Sequence, residues 1–155
     1  MAIEAPLSKY KKQNLLIIVV VLVGLAGWFT YDGYISEKFQ QEHTEINDAG
    51  EEVPDSSLAF NRKAPPFFLG AGLLVVVYFF VIKGKKVVAG EKSLVLNGKE
   101  IQYDSIEKIN KTFFDKKGYF IVTYKDGAME VDVKLSDRSY DNMPAVLDEL
   151  VKQIS

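Results

Sequence analysis

The chain has no cysteine and a single histidine, His43. The first absence removes disulfides, thiol nucleophiles, iron–sulfur ligation and cysteine-based zinc sites. One imidazole cannot supply a cluster of histidine ligands, and the carboxylates around it (Glu42, Glu45, Asp48) follow no recognised ligand spacing. There is no glycine-rich phosphate loop, because Gly70-Ala71-Gly72 lies inside an apolar run. Nor is there an excess of positive charge. With 19 basic and 21 acidic residues the net charge is −2, which excludes the broad basic field of a nucleic-acid binder. No metal, cofactor or nucleic acid is therefore expected.

The most informative absence is local: charge is missing altogether from two long stretches. Leu15 to Phe29 carries none and, with its polar ends, gives a span over residues 14–31 of about 18 residues, roughly 27 Å of helix. Pro65 to Ile82 carries none and gives a second span, 65–82. Helices of soluble domains keep a polar face, so both stretches are read as transmembrane. A cleaved signal peptide ending near Ala26 is the alternative for the first. It is disfavoured because the apolar stretch continues through Trp28 and Phe29.

Basic residues set the expected direction. Lys9, Lys11 and Lys12 precede the first span, and Lys83, Lys85 and Lys86 follow the second. The intervening residues 32–64 hold eight acids against Lys38, Arg62 and Lys63. A cytoplasmic tail over 1–13, an extracytoplasmic acidic loop over 32–64 and a cytoplasmic C-terminal part follow. Arg62 and Lys63 run against this pattern. Gly24 and Gly27 in one span and Gly70 and Gly72 in the other are the expected helix-packing residues, since small side chains let backbones approach in lipid. Trp28, Tyr31 and Tyr34 suit an outer interfacial belt, and Tyr10 and Tyr78 an inner one. With no ionisable residue in either span, no ion pathway or proton relay is visible. In the loop, residues 35–46 extend the first helix, and Asn47 to Gly50 and Pro54 to Ser57 break the chain. Pro65-Pro66 opens the second helix.

From Lys85 the pattern alternates with period two. Strands are predicted over Val87–Ala89, Ser93–Leu96, Glu100–Tyr103, Thr112–Phe114, Tyr119–Tyr124 and Ala128–Leu135, and Asp104 to Ile109, which alternates weakly, is read as a turn plus a strand. Asn97-Gly98 and Asp126-Gly127 supply hairpin turns, and Lys116-Lys117-Gly118 a third turn. Met129, Val131, Val133 and Leu135 share one strand face. The end, 142–154, is predicted helical, capped by Asn142 with Pro144 in the first turn. Its stripe of Met143, Val146, Leu147, Leu150, Val151 and Ile154 needs a sheet to cover. The fold class expected is a transmembrane helical hairpin followed, over 83–155, by a small α+β domain, an antiparallel meander closed by an amphipathic helix.

The segment Tyr103-Asp104-Ser105-Ile106-x-x-Ile109, the aromatic strand after it, the Asp126-Gly127 hairpin and the closing helix resemble the bacterial pleckstrin-homology-like (PH-like) domains. The resemblance covers residues 85–155 and implies a partial barrel, since 70 residues are short for seven strands. It also implies a bacterial inner-membrane location and a non-catalytic scaffold that binds lipid, peptide or protein. The function expected is an adaptor or accessory subunit in a larger membrane complex, contacting the bilayer and protein partners. A second reading is a sensor of anionic lipid, with Lys83, Lys85, Lys86, Lys116 and Lys117 against headgroups. The simpler assignment makes the first three topology determinants and the last two a hairpin tip. An enzyme is the third reading, and with His43 expected across the membrane from the C-terminal serines it has no nucleophile–base pair.

Overall fold

The computed structural model describes residues 2–154. The chain forms two units, residues 1–13 with 80–155, and residues 14–79. The N-terminal segment is not a tail. Ile3–Pro6 forms a strand, β1, that pairs antiparallel with the strand after the second apolar helix, placing Ala5 opposite Val87. Its outer edge is covered as well. The amide of Asp141 donates to Pro6 O (2.9 Å), that of Ser8 to Ser139 O (2.9 Å), and the Asn142 side chain to Glu4 O (3.3 Å). Proline is tolerated here because Pro6 is the last residue of a short strand.

Ser8 then turns the chain into helix α1, Lys9–Thr30. Its hydroxyl accepts from the Lys11 amide (3.1 Å) and donates to Arg138 O (2.5 Å), so one buried side chain caps the helix and holds it to the C-terminal segment. Past Thr30 the chain continues as a π-turn, Tyr31–Ile35, then helix α2, Glu37–Glu42, capped by Ser36. A hairpin of β2, Thr44–Ile46, and β3, Glu52–Pro54, follows. The turn between them is built on Asn47, whose side-chain oxygen accepts the amides of Ala49 (3.0 Å) and Glu51 (2.9 Å).

Helix α3 runs Ser56–Ile82, nine residues longer at its start than the predicted span. Asp55 caps it, accepting the Leu58 amide at 2.8 Å. Pro65 and Pro66 thus lie inside the helix rather than in its first turn. Lacking N–H, they leave the carbonyls of Asn61 and Arg62 without their helical donors. The π-turn occupies that gap: Tyr34 Oη donates to Arg62 O (3.1 Å), and Arg62 Nε donates back to Gly33 O (3.0 Å). Gly33 is buried so closely on Asn61 and Arg62 that a Cβ there would lie 3.1–3.2 Å from their backbone. α1, continued through Ile35, and α3 are both long and apolar enough to cross a membrane. Of their apolar windows only 6% and 17% is buried, whereas a helix in a soluble core is covered along most of its length.

After α3 come β4, Lys86–Ala89, β5, Ser93–Leu96, and β6, Lys99–Gln102, which complete a four-stranded sheet in the order β1-β4-β5-β6. Asn97 (φ 51°) and Gly98 (φ 92°) form the predicted two-residue turn, both with positive φ as a type I′ hairpin requires. A 3₁₀ turn, Tyr103–Ser105, leads to the second sheet: β7, Ile106–Asn110, β8, Tyr119–Asp126, and β9, Met129–Ser136. No strand forms over residues 112–114; a short helix, α4, Phe114–Lys117, stands between β7 and β8. The final helix is α5, Met143–Ile154. Asn142 sits at φ 63° and binds β1 with its side chain instead of capping.

The fold class is thus mixed α+β, two long apolar helices with antiparallel sheets. Both sheets and α5 contribute to one core of Val87, Leu94, Phe120, Val122, Leu135, Val146 and Leu150, among others. Val146 and Leu150, fully buried, each contribute roughly 1.5–3 kcal/mol relative to exposure. Val131, Val133 and Leu135 face this core as expected, but Met129, at the hairpin end, is 70% exposed. Lys99 ties the sheets together: its ammonium lies 2.5 Å from Asp126 and over the Tyr124 ring, and Asp126 pushes its pKa up to about 12.

Two expected outcomes follow from these contacts. Leu7→Ala, at a position only 2% exposed beside β1, is expected to lower stability by about 2–5 kcal/mol, read by denaturant unfolding of the purified full chain. Gly33→Ala is expected to loosen residues 31–64 while leaving β8 and β9 intact, seen as faster amide exchange in that segment alone.

Candidate functional site

The glycines expected to pack the hairpin do not make the close approach. At Gly24, Gly27 and Gly70 a Cβ would meet nothing within 4 Å, and at Gly72 only Leu22 Cβ, at 3.8 Å. Aromatic rings join the helices instead. Phe29 stacks on Phe68 (5.3 Å between centroids) and meets Phe60 edge-on (5.5 Å).

Nor do the lysines singled out from sequence form one patch. Lys86 pairs with Glu4 (2.8 Å), and Lys83 lies over the Phe80 ring (4.4 Å). Lys85 is exposed in the turn between α3 and β4. Lys116 and Lys117 are in α4, between β7 and β8.

His43 lies against Asp55 (Nδ1 to Oδ2, 2.7 Å) and its ring packs on Phe39. Among the described residues no three His, Asp or Glu side chains gather as metal ligands. The Leu58 amide, and after it His43, hold the Asp55 carboxyl below the usual carboxylate range. Beside this pair, α2, the β2–β3 hairpin and the start of α3 enclose a cavity of about 550 Å³, lined by Gln40, Thr44, Ile46, Pro54, Leu58 and Arg62 among others. Arg62 is committed within it, donating to Gly33 O and to Gln40 Oε1 (3.1 Å). That explains a basic residue in an acidic segment.

A concavity in the domain lies where the β7–β8 connection meets α5. It is a groove of about 560 Å³ lined by Lys111, Thr112, Phe114, Asp115, Pro144, Leu147 and Asp148. Phe114 meets the core ring Phe120 edge-on (5.6 Å), and Leu147 is buried, so the apolar members belong to side chains fixed by the core. The connection itself is built by local bonds. Asn110 Oδ1 accepts the Thr112 amide (3.1 Å), and Gly118 ends α4 at φ 66°. β7 is an edge strand, paired only with β8 in its sheet. The groove has an apolar floor and charged rims.

Successive phenylalanines diverge here: Phe114 turns to the core while Phe113 stacks outward on Tyr119 (5.4 Å). Lys117 lies over Phe113 (5.1 Å) and Lys134, from β9, over Tyr119 (3.8 Å). Sequence reading found Lys116 and Lys117 but not Phe113, Tyr119 or Lys134. The register, which sets Lys134 opposite Ile121 on the outer face of β8, brings them together.

No family model, curated protein or solved structure matches the chain.

Asp55 yields a pH prediction. Its folded pKa is depressed, so its contribution is present above the unfolded carboxylate value of about 4 and is lost as pH falls through the lower folded value. Asp55→Asn keeps a capping oxygen but removes the charge. It is expected to weaken residues 32–64 at neutral pH and to flatten their loss of protection in acid, followed by amide exchange against pH.

Proposed function

We propose that this chain is a non-catalytic, membrane-anchored adaptor: a two-span hairpin set between the first and second strands of a PH-like domain that engages a protein partner. The observation that carries the reading is the pairing of β1 with β4. The residues just before the first apolar helix and just after the second belong to one hydrogen-bonded sheet. A folded sheet cannot straddle a bilayer, so two crossings bring the chain back to the side it left.

Other observations support the direction and the domain type. Lys9, Lys11, Lys12, Lys83, Lys85 and Lys86 flank the hairpin on the β-domain side, which favours a cytoplasmic domain and an outer acidic module over 32–64. Trp28, Tyr31 and Tyr10, all more than half exposed, suit interfacial depth. Four strands in one sheet, three in the other and a closing helix meet the count expected of a full PH-like barrel. On this reading β1 would be the strand that residues 85–155 lack. The groove beside β7 and α5 and the exposed apolar faces of the helices are where partners would be held.

Because the chain lacks cysteine, single replacements report topology directly. Asp48→Cys is expected to react with a membrane-impermeant maleimide on intact cells, and Ala2→Cys and Lys92→Cys only after permeabilisation. Ala2 and Lys92 on opposite sides would sink the hairpin. In mild detergent the wild-type chain is expected to elute within a larger complex; a monodisperse chain without a partner would sink the adaptor reading.

A further inference from the structure

We infer that the free edge of β9 is a self-association surface, on which a second copy of this chain lays its own β9 antiparallel and joins two three-stranded sheets into one of six. The inference goes beyond the adaptor reading. It needs only the fold of the β domain, and its occupant is another copy of the same strand.

The sheet edges of the domain, among the described residues, end in different ways. The outer edge of β1 is bound by the segment 139–142. β6 offers only four residues, and β7 offers five, interrupted by a shift of register between Ile106 and Lys108. β9 offers eight, matched one to one with β8 from Asp126 to Tyr119 without a bulge. It holds no proline. Its charges, Glu130, Asp132 and Lys134, alternate with the apolar residues and so share the outer face instead of turning inward. A long edge without these blocking devices is a template for another strand. The apolar row along it is also unfinished, because Val131 and Val133 pack on the core yet stay half-buried.

The backbone leaves the right groups open. The Asp137 amide donates to Gly118 O (2.9 Å), so alternation turns the odd-numbered residues of β9 toward β8. The N–H and C=O groups of Glu130, Asp132 and Lys134 then point outward. In a two-fold pair these even-numbered residues must face one another, which restricts the registers. Centred on Val133, the ladder spans 130–136 and sets Asp132 opposite Lys134 on both sides of the axis, with Glu130 opposite Ser136. Val133 then meets its own copy, and Val131 meets Leu135. Centring on Asp132 or on Lys134 sets that charge against itself, and centring on Val131 sets Glu130 against Asp132. Like charges directly opposite are unfavourable and unlike ones favourable. The sequence of β9 thus complements itself in one register, which is why the occupant is a second copy. Asp132 accepts the Thr123 hydroxyl (2.6 Å) and Lys134 lies over the Tyr119 ring, and neither makes an ion pair among the described residues.

The chain has no cysteine, so disulfide trapping between differently tagged full-length copies in membranes reads the register directly. Asp132→Cys in one copy and Lys134→Cys in the other face each other at about 5.5 Å between Cα atoms, within disulfide range, while the second Asp132–Lys134 pair is kept. Mild oxidation is expected to trap that combination at least several-fold more efficiently than Glu130→Cys in both copies, whose Cα atoms lie about 20 Å apart along the ladder. Equal trapping, or none with the Asp132/Lys134 combination, overturns the inference. Charge reversal gives a second readout in mild detergent, with the copy number measured by light scattering across concentration. Asp132→Lys alone and Lys134→Asp alone are each expected to weaken pairing about tenfold, and the two together to restore it. Unchanged amide protection of β8 shows that each variant folds. A double variant no better than the single ones overturns the inference and leaves the edge to a strand of another protein. Two copies with no other protein bound bear this inference out and sink the adaptor reading, and one copy inside a larger complex does the reverse.

Discussion

The pairing of β1 with β4 is the interaction on which the domain depends. Residues 3–6 supply the fourth strand of one sheet, and their outer edge is bound by the segment that leads into α5. Without β1, the buried faces of Val87 and Ala89 would keep their own side chains but lose the neighbouring strand, and β4 would become an open edge. The cost of closing so long a loop is small compared with what is gained, because loop entropy grows only with the logarithm of length. An insertion as large as the apolar hairpin is therefore compatible with a continuous sheet.

Much of this architecture was legible. Two charge-free runs, the Asn97-Gly98 and Asp126-Gly127 turns and the apolar stripe of α5 each depend on strong local rules, and a helix or turn formed over each of those segments. What was hidden depends on distant partners. Ile3-Glu4-Ala5-Pro6 is too short and too proline-marked to read as a strand, and it becomes one only because β4 and Asp141 meet both its edges. The true start of α3 was masked by Asn61-Arg62-Lys63 and by the two prolines, although Asp55-Ser56-Ser57-Leu58 carried an ordinary capping signal. Asn142 looked like a cap because its chemistry suits one; its side chain went instead to Glu4.

The candidate surfaces divide the same way. Lys116 and Lys117 were visible as a basic turn, but the row they join needs the β8–β9 register to deliver Lys134, and no local pattern encodes a register across a hairpin. Glycines suggested close helix packing at Gly24, Gly27 and Gly70, and the structure puts the close backbone approach at Gly33 instead. The cause is the pair of prolines: carbonyls freed inside α3 need a donor, and a tyrosine hydroxyl with a glycine beneath it supplies one.

The split domain also carries information about synthesis. β1 is translated before both apolar helices, and its partner β4 only after them. Under the proposed topology, β1 can find β4 only if the hairpin has returned the chain to its original side. A chain in which only one of the two helices crossed would present an unpaired β4 edge and a domain without its first strand, the kind of exposed edge that proteases and chaperones act upon. Under that topology the finished sheet reports that both helices, and not one alone, have crossed.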